Sequence, residues 1–400
     1  MAGPLDGVKV LDVSQAAAGP IAAELLAELG AEVIKVEPPW GDFVRNTTPY
    51  KNGVDLRVFG FSRSKRGIVL DLKNEKDRQL ITELVKWADV FLENYKVGTA
   101  DKMGLGYDAL REINPRIIYT SAAGYGHKGP LREQGTWGNI AVMFAGWGSI
   151  SGHPGGRGEY PRGGLGADPV SPTYLTLAIL MALYHRETTG HGQLIESSQI
   201  ETSIAFQQTH ASYYFATGEH PPLMGSASLN VVPSQAFATA DGYVVVDAPT
   251  DRTWRRLCEA LDASDLASDS RFTTNPLRVT NRAALVPCLE AIFEQKQSSE
   301  WIAILQAHAV PCALIARTLD DIYADPQVQA NHLIFEMEHP RAGLLKTSAV
   351  PWEFSKTPVA VKSLGPTLGE HSREIRREFG FPEEDEREMA ESRAARLSAR

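Results

Sequence analysis

The stretch VKVLDVSQAAAGPIAAELLAELGAEVIKVE, residues 8–37, decides the fold. Its two ends, residues 8–13 and 33–36, are mostly β-branched or apolar, which predicts two strands buried in a sheet. Residues 21–29 predict a helix between them, and Gly30 is a common residue just past a helix end. Together they predict a βαβ unit, the opening of a doubly wound parallel sheet. The turn after the first strand lacks the G-x-G-x-x-G pattern, which argues against a nicotinamide dinucleotide as ligand.

Further strands and helices follow in the first half of the chain. We predict strands at residues 67–73, 89–95, 115–121 and 192–198, and helices at residues 77–88, 139–145 and 200–215. Ligands of open parallel sheets bind at the carboxyl ends of the strands. We therefore expect the loops at residues 14–20, 37–45, 94–104 and 122–130 to converge on one site, within a large α/β domain that covers residues 1–215.

The second half of the chain has a different pattern. Residues 216–232 predict a linker, and Asp241-Gly242 predicts the turn of a β-hairpin at residues 235–246. We predict helices at residues 252–261, 280–295 and 298–307, and a strand at residues 310–315. These elements make a small α+β domain at residues 233–325. Residues 326–400 predict a second linker and a C-terminal segment, which ends in a charged, helical or frayed tail from residue 383.

The composition excludes several classes of protein. The 400 residues are 43% hydrophobic and 22% charged, as in ordinary globular proteins, and the net charge of −9 argues against nucleic acid as a partner. The cysteines Cys258, Cys288 and Cys312 are scattered, so we expect reduced thiols and no metal site. We find neither a signal-peptide pattern nor an apolar run of membrane-spanning length, so we expect a soluble cytoplasmic protein without a membrane partner.

One carboxylate, Asp168, stands at the start of a long apolar segment that ends near Gly190. The segment is apolar on nearly all faces, which predicts a helix buried on nearly all sides. Asp168 follows a glycine-rich stretch and precedes Pro169, and proline is well tolerated in the first turn of a helix. One interpretation is that Asp168 is only the helix N-cap. The other is a nucleophile, because covalent carboxylate chemistry needs one acid held rigidly at a cleft between small neighbours.

Short motifs along nearly the whole chain point to one family. They are residues 4–12, 18–20, 29–37, 65–73 and 93–95, Gly98, and residues 105–106, 124–126, 189–193, 241–242 and 368–371. With these motifs the chain resembles the class III coenzyme A transferases, the group that contains the formyl-CoA:oxalate and carnitine CoA-transferases. Each motif is short, but their combination and order are specific.

The resemblance implies an architecture and a set of substrates. It implies a large Rossmann-like CoA-binding domain, a small α+β domain and a C-terminal segment that returns to the large domain. It also implies a homodimer whose chains interlock like rings, or in some relatives a heteromer with a related subunit. The substrates would be an acyl-CoA and a carboxylic acid, with coenzyme A as a substrate rather than a resident cofactor. The sequence identifies neither the donor nor the acceptor, and succinyl-CoA is a guess for the donor based only on its being the commonest activated diacid.

By motif position, Asp168 falls on the catalytic aspartate of the family. The implied mechanism is covalent: the carboxylate attacks the donor thioester to give a mixed anhydride, the CoA thiolate then forms an aspartyl-CoA thioester, and the acceptor acid reverses the sequence. Backbone N–H groups of glycines can stabilise the oxyanions of such a reaction. Gly163, Gly164 and Gly166 are candidate donors, as are glycines of the small domain that approach from the partner chain.

The resemblance also implies which residues contact coenzyme A. Leu70 and Lys73 would hold the adenine–ribose end, and Asn94, Tyr95 and Lys102 the pyrophosphate and pantetheine. These side chains suit the task, since lysine pairs with phosphate and an aromatic ring provides apolar contact.

The same resemblance implies four further contacts with coenzyme A. Ala18 would contact the pantetheine arm near the thioester. Arg63, Lys65 and Arg66 would meet the ribose phosphate, or part of this cationic cluster would be structural.

Departures from the family bear on the reaction. Formyl-CoA transferase has glutamine where this chain has Ala17 and an acid where it has Gly138, and its tetraglycine lid is replaced by residues 225–230, which argues against oxalate. The aromatic residues Trp137, Phe144 and Trp147 indicate either a larger apolar acyl pocket or core packing.

Two alternatives to CoA transfer stay open. The racemase branch of the family carries a Gly-His-Asp segment where this chain reads residues 135–137 as Gly-Thr-Trp, so two-base proton exchange lacks its histidine. The other alternative is a CoA-binding protein that has lost catalysis.

Overall fold

The computed structural model describes residues 3–161, 167–315 and 318–382. The chain divides into two compact units. The first holds the described residues of 1–146, 160–208 and 329–400, and the second holds those of 147–159 and 209–328. The predicted domain boundaries at residues 215, 232 and 325 remain predictions. The predicted tail from residue 383 lies outside the described residues.

The strands of the described residues are β1 (Lys9–Asp12), β2 (Glu32–Glu37), β3 (Tyr50–Lys51), β4 (Val54–Asp55), β5 (Arg66–Val69), β6 (Val90–Glu93), β7 (Ile118–Ala123), β8 (Leu194–Ser198), β9 (Ser234–Ala238), β10 (Tyr243–Asp247), β11 (Cys312–Leu314), β12 (Ile334–His339) and β13 (Gly343–Ser348). Six of them form a parallel sheet in the order β5-β2-β1-β6-β7-β8. Val10 of β1 is in register with Val33 of β2 and with Val90 of β6. Numbered within the sheet, this order is 3-2-1-4-5-6, that of the doubly wound dinucleotide-binding fold. The predicted α/β class is confirmed.

The helices of the described residues are α1 (Ala18–Glu28), α2 (Leu56–Phe61), α3 (Glu75–Trp87), α4 (Thr99–Lys102), α5 (Tyr107–Ile113), α6 (Gly138–Phe144), α7 (Ala167–Thr189), α8 (Gln199–Ala205), α9 (Gln208–Thr217), α10 (Asp251–Ala260), α11 (Ser264–Ser268), α12 (Asn275–Thr280), α13 (Arg282–Phe293), α14 (Ser298–Ala307), α15 (Leu319–Tyr323), α16 (Pro326–Ala330) and α17 (Ser372–Glu378), with 3₁₀ helices at Phe43–Asn46 and Trp147–Ser149. In the part of the chain that the structure describes, no helix has the length and apolar character needed to cross a bilayer.

The parallel sheet is covered on both faces, which explains the nearly continuous apolar strands. Successive residues of β1 point to opposite faces: Val10 packs with α1 and α7, whereas Leu11 packs with α3 and α5. On the second face, Ile375 of α17 completes the core, so the segment after residue 329 packs against the sheet of its own unit.

The second unit has its own core. Strands β9, β10 and β11 form an antiparallel sheet in the order β11-β10-β9, and the Asp241-Gly242 turn joins β9 to β10 as predicted. Val244 and Val246 of β10 are fully buried, and they pack with helices that include Trp254 and Trp301. The alternating burial of β10 is typical of a strand with one face on a core.

Some elements differ from the sequence prediction. The helix predicted at residues 200–215 is two helices, α8 and α9, which are separated at Phe206 and Gln207. The helix predicted from residue 21 begins at Ala18, so the Ala-Gly-Pro motif is its first turn. The long helix α7 is not buried on nearly all faces, since Tyr184 is 77% exposed within this chain.

Candidate active site

Asp168 is the second residue of α7, and its side chain is half-buried. The helix begins at Ala167, so the interpretation of Asp168 as the N-cap is wrong, and the residue lies in the first turn instead. Pro172 lies inside the same helix. Because proline has no N–H group, the backbone carbonyl of Asp168 lacks its usual helical partner four residues on. Asp168 therefore lies in a first helical turn that lacks one of its regular backbone hydrogen bonds.

Two neighbours fix the Asp168 carboxylate. The Nε2 group of Gln199, the first residue of α8, donates a hydrogen bond to Oδ1 at 3.0 Å. Gly138, the first residue of α6, lies flat against the carboxylate: a Cβ atom there would be 2.7 Å from Cγ and 2.8 Å from Oδ2. Real Cβ atoms do not approach that closely, so glycine is the residue that fits this position.

The environment of Asp168 disfavours the charged carboxylate. Burial raises the pKa of Asp168 above its usual range, and the positive charge of Arg57 together with the Gln199 hydrogen bond partly offsets the shift. A carboxylate that is poorly solvated in this way is a better nucleophile than one surrounded by water.

Asp168 lies in the wall of a pocket of about 600 Å³, a size typical of small-molecule sites. The pocket is lined by residues 15–18, 43–44, 94–97, 122–124 and 134–138, and by Arg57, Arg132, Asp168 and Gln199. The four loops predicted to converge at the carboxyl edge of the sheet all contribute to it, which confirms that prediction.

The turn at residues 15–18 forms the floor of the pocket and is held from both sides. The Asn94 side chain accepts a hydrogen bond from the Gln15 N–H and donates one to the Gln15 carbonyl, both at 2.7 Å. On the other side, the Asp42 carboxylate accepts from the Ala16 N–H at 3.0 and 3.2 Å and pairs with the buried Lys35 at 3.1 Å. Ala16 has a φ of +64°, so these bonds hold it in a conformation that L-residues rarely adopt.

Helix α1 begins at this turn. Its N-cap, Ala17, has no side chain that could cap the helix, and Ala17 and Ala18 both line the pocket. The N–H groups and the positive dipole end of α1 are thus available at the site. Gly19 lies directly against the Ser14 side chain, where a Cβ atom would not fit.

Of the residues predicted to contact coenzyme A, the structure brings three into the pocket with Asp168: Ala18, Asn94 and Tyr95. Three others lie outside that pocket. Leu70 is packed in the core beside α3, while Lys73 and Lys102 are exposed. Tyr95 packs against the same core as Leu70, so these residues lie along one face of the sheet.

The predicted cationic cluster is engaged within the protein, which corrects the expectation that it faces a ribose phosphate. All three N–H groups of Lys65 are used: its Nζ is bonded to Asp12 at 2.9 Å and to two backbone carbonyls. The buried Arg63 pairs with Glu24 and Glu28, each at 2.9 Å.

The third member of the cluster, Arg66, is also engaged. It begins β5, at the edge of the sheet opposite the pocket, and pairs with Glu32, Glu374 and Glu378. The structure thus favours the structural interpretation of the cluster.

The three aromatic residues in question have different surroundings. Trp137 is the N-cap of α6, lines the pocket and packs on Phe43 with ring centroids 5.1 Å apart. Phe144 is exposed and contacts Tyr125, and Trp147 is buried in the second unit. Only Trp137 therefore belongs to the pocket. The expected oxyanion donors Gly163, Gly164 and Gly166 lie outside the described residues.

Two residues of the site were not expected from the sequence. Gln199 follows β8 directly, so the rule that ligands bind at carboxyl strand ends would have pointed to it. Arg57 lies on α2, a short helix that the sequence pattern did not predict, and carries no local signal that separates it from other surface arginines.

Comparison with known proteins agrees with the fold. The model of CoA-transferase family III matches residues 5–372, and the chain belongs to this family. It is 35% identical over 377 residues to succinyl-CoA:glutarate CoA-transferase of Homo sapiens, which covers 94% of this chain and 86% of that protein. It is 33% identical to succinyl-CoA:mesaconate CoA-transferase of Haloarcula hispanica, with coverage of 94% and 97%. The crystal structure of a CaiB/BaiF family protein from Brucella suis matches with a TM-score of 0.84 at 34% identity, covering 95% of this chain and 100% of that one.

Proposed function

We propose that this CoA-transferase moves coenzyme A from an acyl-CoA to a carboxylic acid with Asp168 as the covalent nucleophile. The observation that carries the proposal is the Asp168 carboxylate itself, which faces a pocket of about 600 Å³ and is poorly solvated, hydrogen-bonded by Gln199 and flanked by Gly138. A fixed carboxylate with a glycine neighbour leaves room for a thioester carbonyl to approach it.

The proposed reaction balances without a metal, a nucleotide or a net proton transfer. An Asp168 oxygen attacks the thioester carbonyl, the C–S bond breaks, and the CoA thiolate leaves a mixed anhydride. The thiolate then attacks Cγ of Asp168, the donor acid leaves, and an aspartyl-CoA thioester remains. The acceptor carboxylate attacks Cγ in turn and releases the thiolate. The thiolate finally attacks the acceptor acyl carbon, which gives the new acyl-CoA and free Asp168.

The charges that develop in these steps have a partner at the start of α1. Oxyanions and a thiolate are stabilised by the N–H groups and the positive dipole end of a helix. Ala17 and Ala18 line the pocket at that helix start. This placement supports Ala18 as a contact near the thioester.

The rest of coenzyme A would follow the loops after β6 and β5. Asn94 and Tyr95 line the pocket and would hold the pantetheine, and Tyr95 packs against the core that also contains Leu70. The exposed Lys73 and Lys102 suit the phosphates at the far end, because an ammonium group pairs with phosphate as a point charge. Residues 63, 65 and 66 are left with structural roles.

Succinyl-CoA is the donor we propose for this chain. The proteins it resembles in Homo sapiens and Haloarcula hispanica are both named as succinyl-CoA-dependent transferases, with glutarate and mesaconate as the respective acceptors. The homodimeric assembly implied by the family and a cytoplasmic location remain part of this proposal.

Trapping of the covalent intermediate tests the proposal. Incubation with succinyl-CoA followed by hydroxylamine converts an aspartyl-CoA thioester into a hydroxamate, which peptide mass spectrometry locates. We expect the modification at Asp168 in the wild type, and we expect the Asp168→Asn variant to fold, bind CoA and carry no label. Removal of the nucleophile lowers turnover by a factor on the order of 10⁴ or more, as for other covalent catalysts.

Other outcomes separate the alternatives. Bound CoA without any label after incubation with a range of acyl-CoAs indicates a non-catalytic binding protein. Exchange of the substrate α-proton with deuterated solvent, without CoA transfer between acids, indicates a racemase. Full transfer activity in Asp168→Asn contradicts the proposed nucleophile.

A further inference from the structure

Arg57 is the pocket residue that the proposed mechanism leaves without a role. It lies in the first turn of α2, whose N-cap, Asp55, accepts a hydrogen bond from the Arg57 N–H at 2.8 Å. Its guanidinium stacks over Phe61 at 5.6 Å and donates from Nη1 to the Thr47 hydroxyl at 3.2 Å. The side chain is therefore anchored at its base and along its length.

The guanidinium has free hydrogen-bonding capacity. Within the described residues, no carboxylate lies within 4 Å of it, and Thr47 accepts its one side-chain hydrogen bond. An arginine head has five N–H groups in a planar fork that fits a carboxylate. The other arginine lining the pocket, Arg132, is mostly exposed and is paired with Glu133.

Arg57 and Asp168 face the same space without touching. The charge of Arg57 lowers the pKa of Asp168 against the effect of burial, yet the two groups are beyond ion-pair distance. Both line the pocket, with Phe43 and Val44 beside Arg57. The space between them can hold a short chain that is bonded to Asp168 at one end and carries a charge at the other.

The order of the strands separates Arg57 from the residues proposed to hold the pantetheine. Asn94 and Tyr95 follow β6, on one side of the central β1 turn, while Phe43 and Arg57 follow β2, on its other side. Arg57 therefore lies across the β1 turn from the residues proposed to hold the pantetheine, where the far end of an acyl chain can reach it without competing with the pantetheine. The phosphates of coenzyme A are at the opposite end of the pantetheine arm, so they cannot be the anion that Arg57 binds.

We propose that Arg57 binds the distal carboxylate of a dicarboxylic substrate, first in the acyl-CoA donor and then in the acceptor acid. The site would thus take short diacids at both half-reactions and discriminate against monocarboxylic acids of the same length. This inference rests on the proposed covalent role of Asp168. A partly buried cation that a bound monocarboxylic acyl chain covers without supplying an anion makes the wrong substrate costly, which is a source of selectivity.

The first half-reaction tests this assignment, because it involves one acyl group only. We compare hydroxylamine-trapped labelling of Asp168 by succinyl-CoA and by butyryl-CoA, which has a methyl group in place of the distal carboxylate. We expect wild type to label faster with succinyl-CoA. In Arg57→Gln the labelling rate with succinyl-CoA should fall by roughly 100-fold, as expected for loss of charge-assisted hydrogen bonds, and the rate with butyryl-CoA should change less than about 3-fold. Arg57→Lys should recover part of the rate.

The choice of assay pH separates the effect of Arg57 on the pKa of Asp168 from its proposed binding of the substrate carboxylate. Because Arg57 lowers the pKa of Asp168, Arg57→Gln should shift the acid limb of the rate profile to higher pH with both substrates. Rates are therefore compared on the alkaline plateau, where Asp168 is ionised in every variant. Arg111→Gln, an exposed arginine on α5, is the matched control and should behave like wild type.

The possible outcomes distinguish a failure of the role of Arg57 from a failure of the proposed covalent mechanism. Equal rate losses with both acyl-CoAs in Arg57→Gln, or equal wild-type rates with both, overturn the role of Arg57 while the label still supports Asp168. The wild-type comparison decides even if the variant does not fold. No label with any acyl-CoA overturns the proposed mechanism instead.

Discussion

Gly138 lies against the Asp168 carboxylate with no side chain of its own. The missing Cβ would come within 2.7 Å of Cγ of Asp168, so Gly138→Ala must displace the carboxylate or the start of α6. A displacement of about 1 Å at a reacting group costs on the order of 100-fold in rate. We expect Gly138→Ala to lower kcat/KM by that factor with little change in the melting temperature, measured by transfer kinetics and thermal unfolding.

The matched control is Gly60→Ala, because the corresponding Cβ position at Gly60 is open space. It should retain wild-type kinetics. A Gly138→Ala enzyme with wild-type kcat/KM would show that the carboxylate has freedom that this contact does not limit.

The sequence predicts the position of some site residues but not the partners of others. The βαβ pattern and the motifs located the sheet, Asp168 and the loops of the pocket. The cations at residues 63 and 65 were assigned to phosphate because nothing local reveals their partners: Lys65 pairs with Asp12 and Arg63 with Glu24, which are 53 and 39 residues away in sequence. Whether such a cation is buried and paired or is free to bind a phosphate depends on the tertiary structure, so the local sequence does not reveal it.

The turn between β1 and α1 depends on a neighbouring element, the 3₁₀ helix Phe43–Asn46. Asp42 caps that helix through the Val44 N–H, holds the Ala16 N–H and pairs with Lys35, which is 1% exposed. Asp42→Ala should lower the free energy of unfolding by about 3–5 kcal/mol, because it leaves a buried cation without its partner. It should also weaken CoA binding, since the turn lines the pocket. Urea unfolding and calorimetric titration with CoA measure the two effects.

Asn74→Ala is the matched control for Asp42→Ala. Asn74 caps α3 through the Lys76 N–H at 2.8 Å, with no ion pair within the described residues. Its loss should cost about 1 kcal/mol and leave CoA binding unchanged. If both variants lose the same stability, the pairing of Asp42 with Lys35 contributes nothing measurable.

Elements were predicted best where periodicity and breakers agree. The β9–β10 hairpin has a β-branched strand that follows the Asp-Gly turn and alternates between exposed and buried residues, and α3 has a capping Asn74 with acids in its first turn. The break between α8 and α9 has neither Gly nor Pro, so local sequence did not reveal it. Helix α2 was missed because it is only six residues long, and with it the position of Arg57.

At the scale of the whole molecule, one side of α7 exposes an apolar surface to solvent in the single chain. On α7, Leu177, Met181 and Tyr184 recur at helical spacing and are 51%, 58% and 77% exposed, while Ile179 on the opposite side is fully buried. Exposed apolar residues grouped in this way are typical of a protein–protein interface, and we predict that this side of α7 is covered by a second chain. The prediction of a helix buried on all faces therefore holds only if another chain covers this side, which agrees with the homodimer implied by the family.

Charge placed on this face should prevent assembly. We expect the wild type to be a dimer by size-exclusion chromatography with light scattering. The double variant Met181→Glu/Tyr184→Glu should yield monomers or fail to accumulate, because two carboxylates would be buried without partners. Gln79→Glu, at an exposed position of α3 on the other face of the sheet from α7, should remain dimeric. A dimeric double variant contradicts this assignment of the interface, whereas a monomeric, inactive wild type points to assembly with a related subunit.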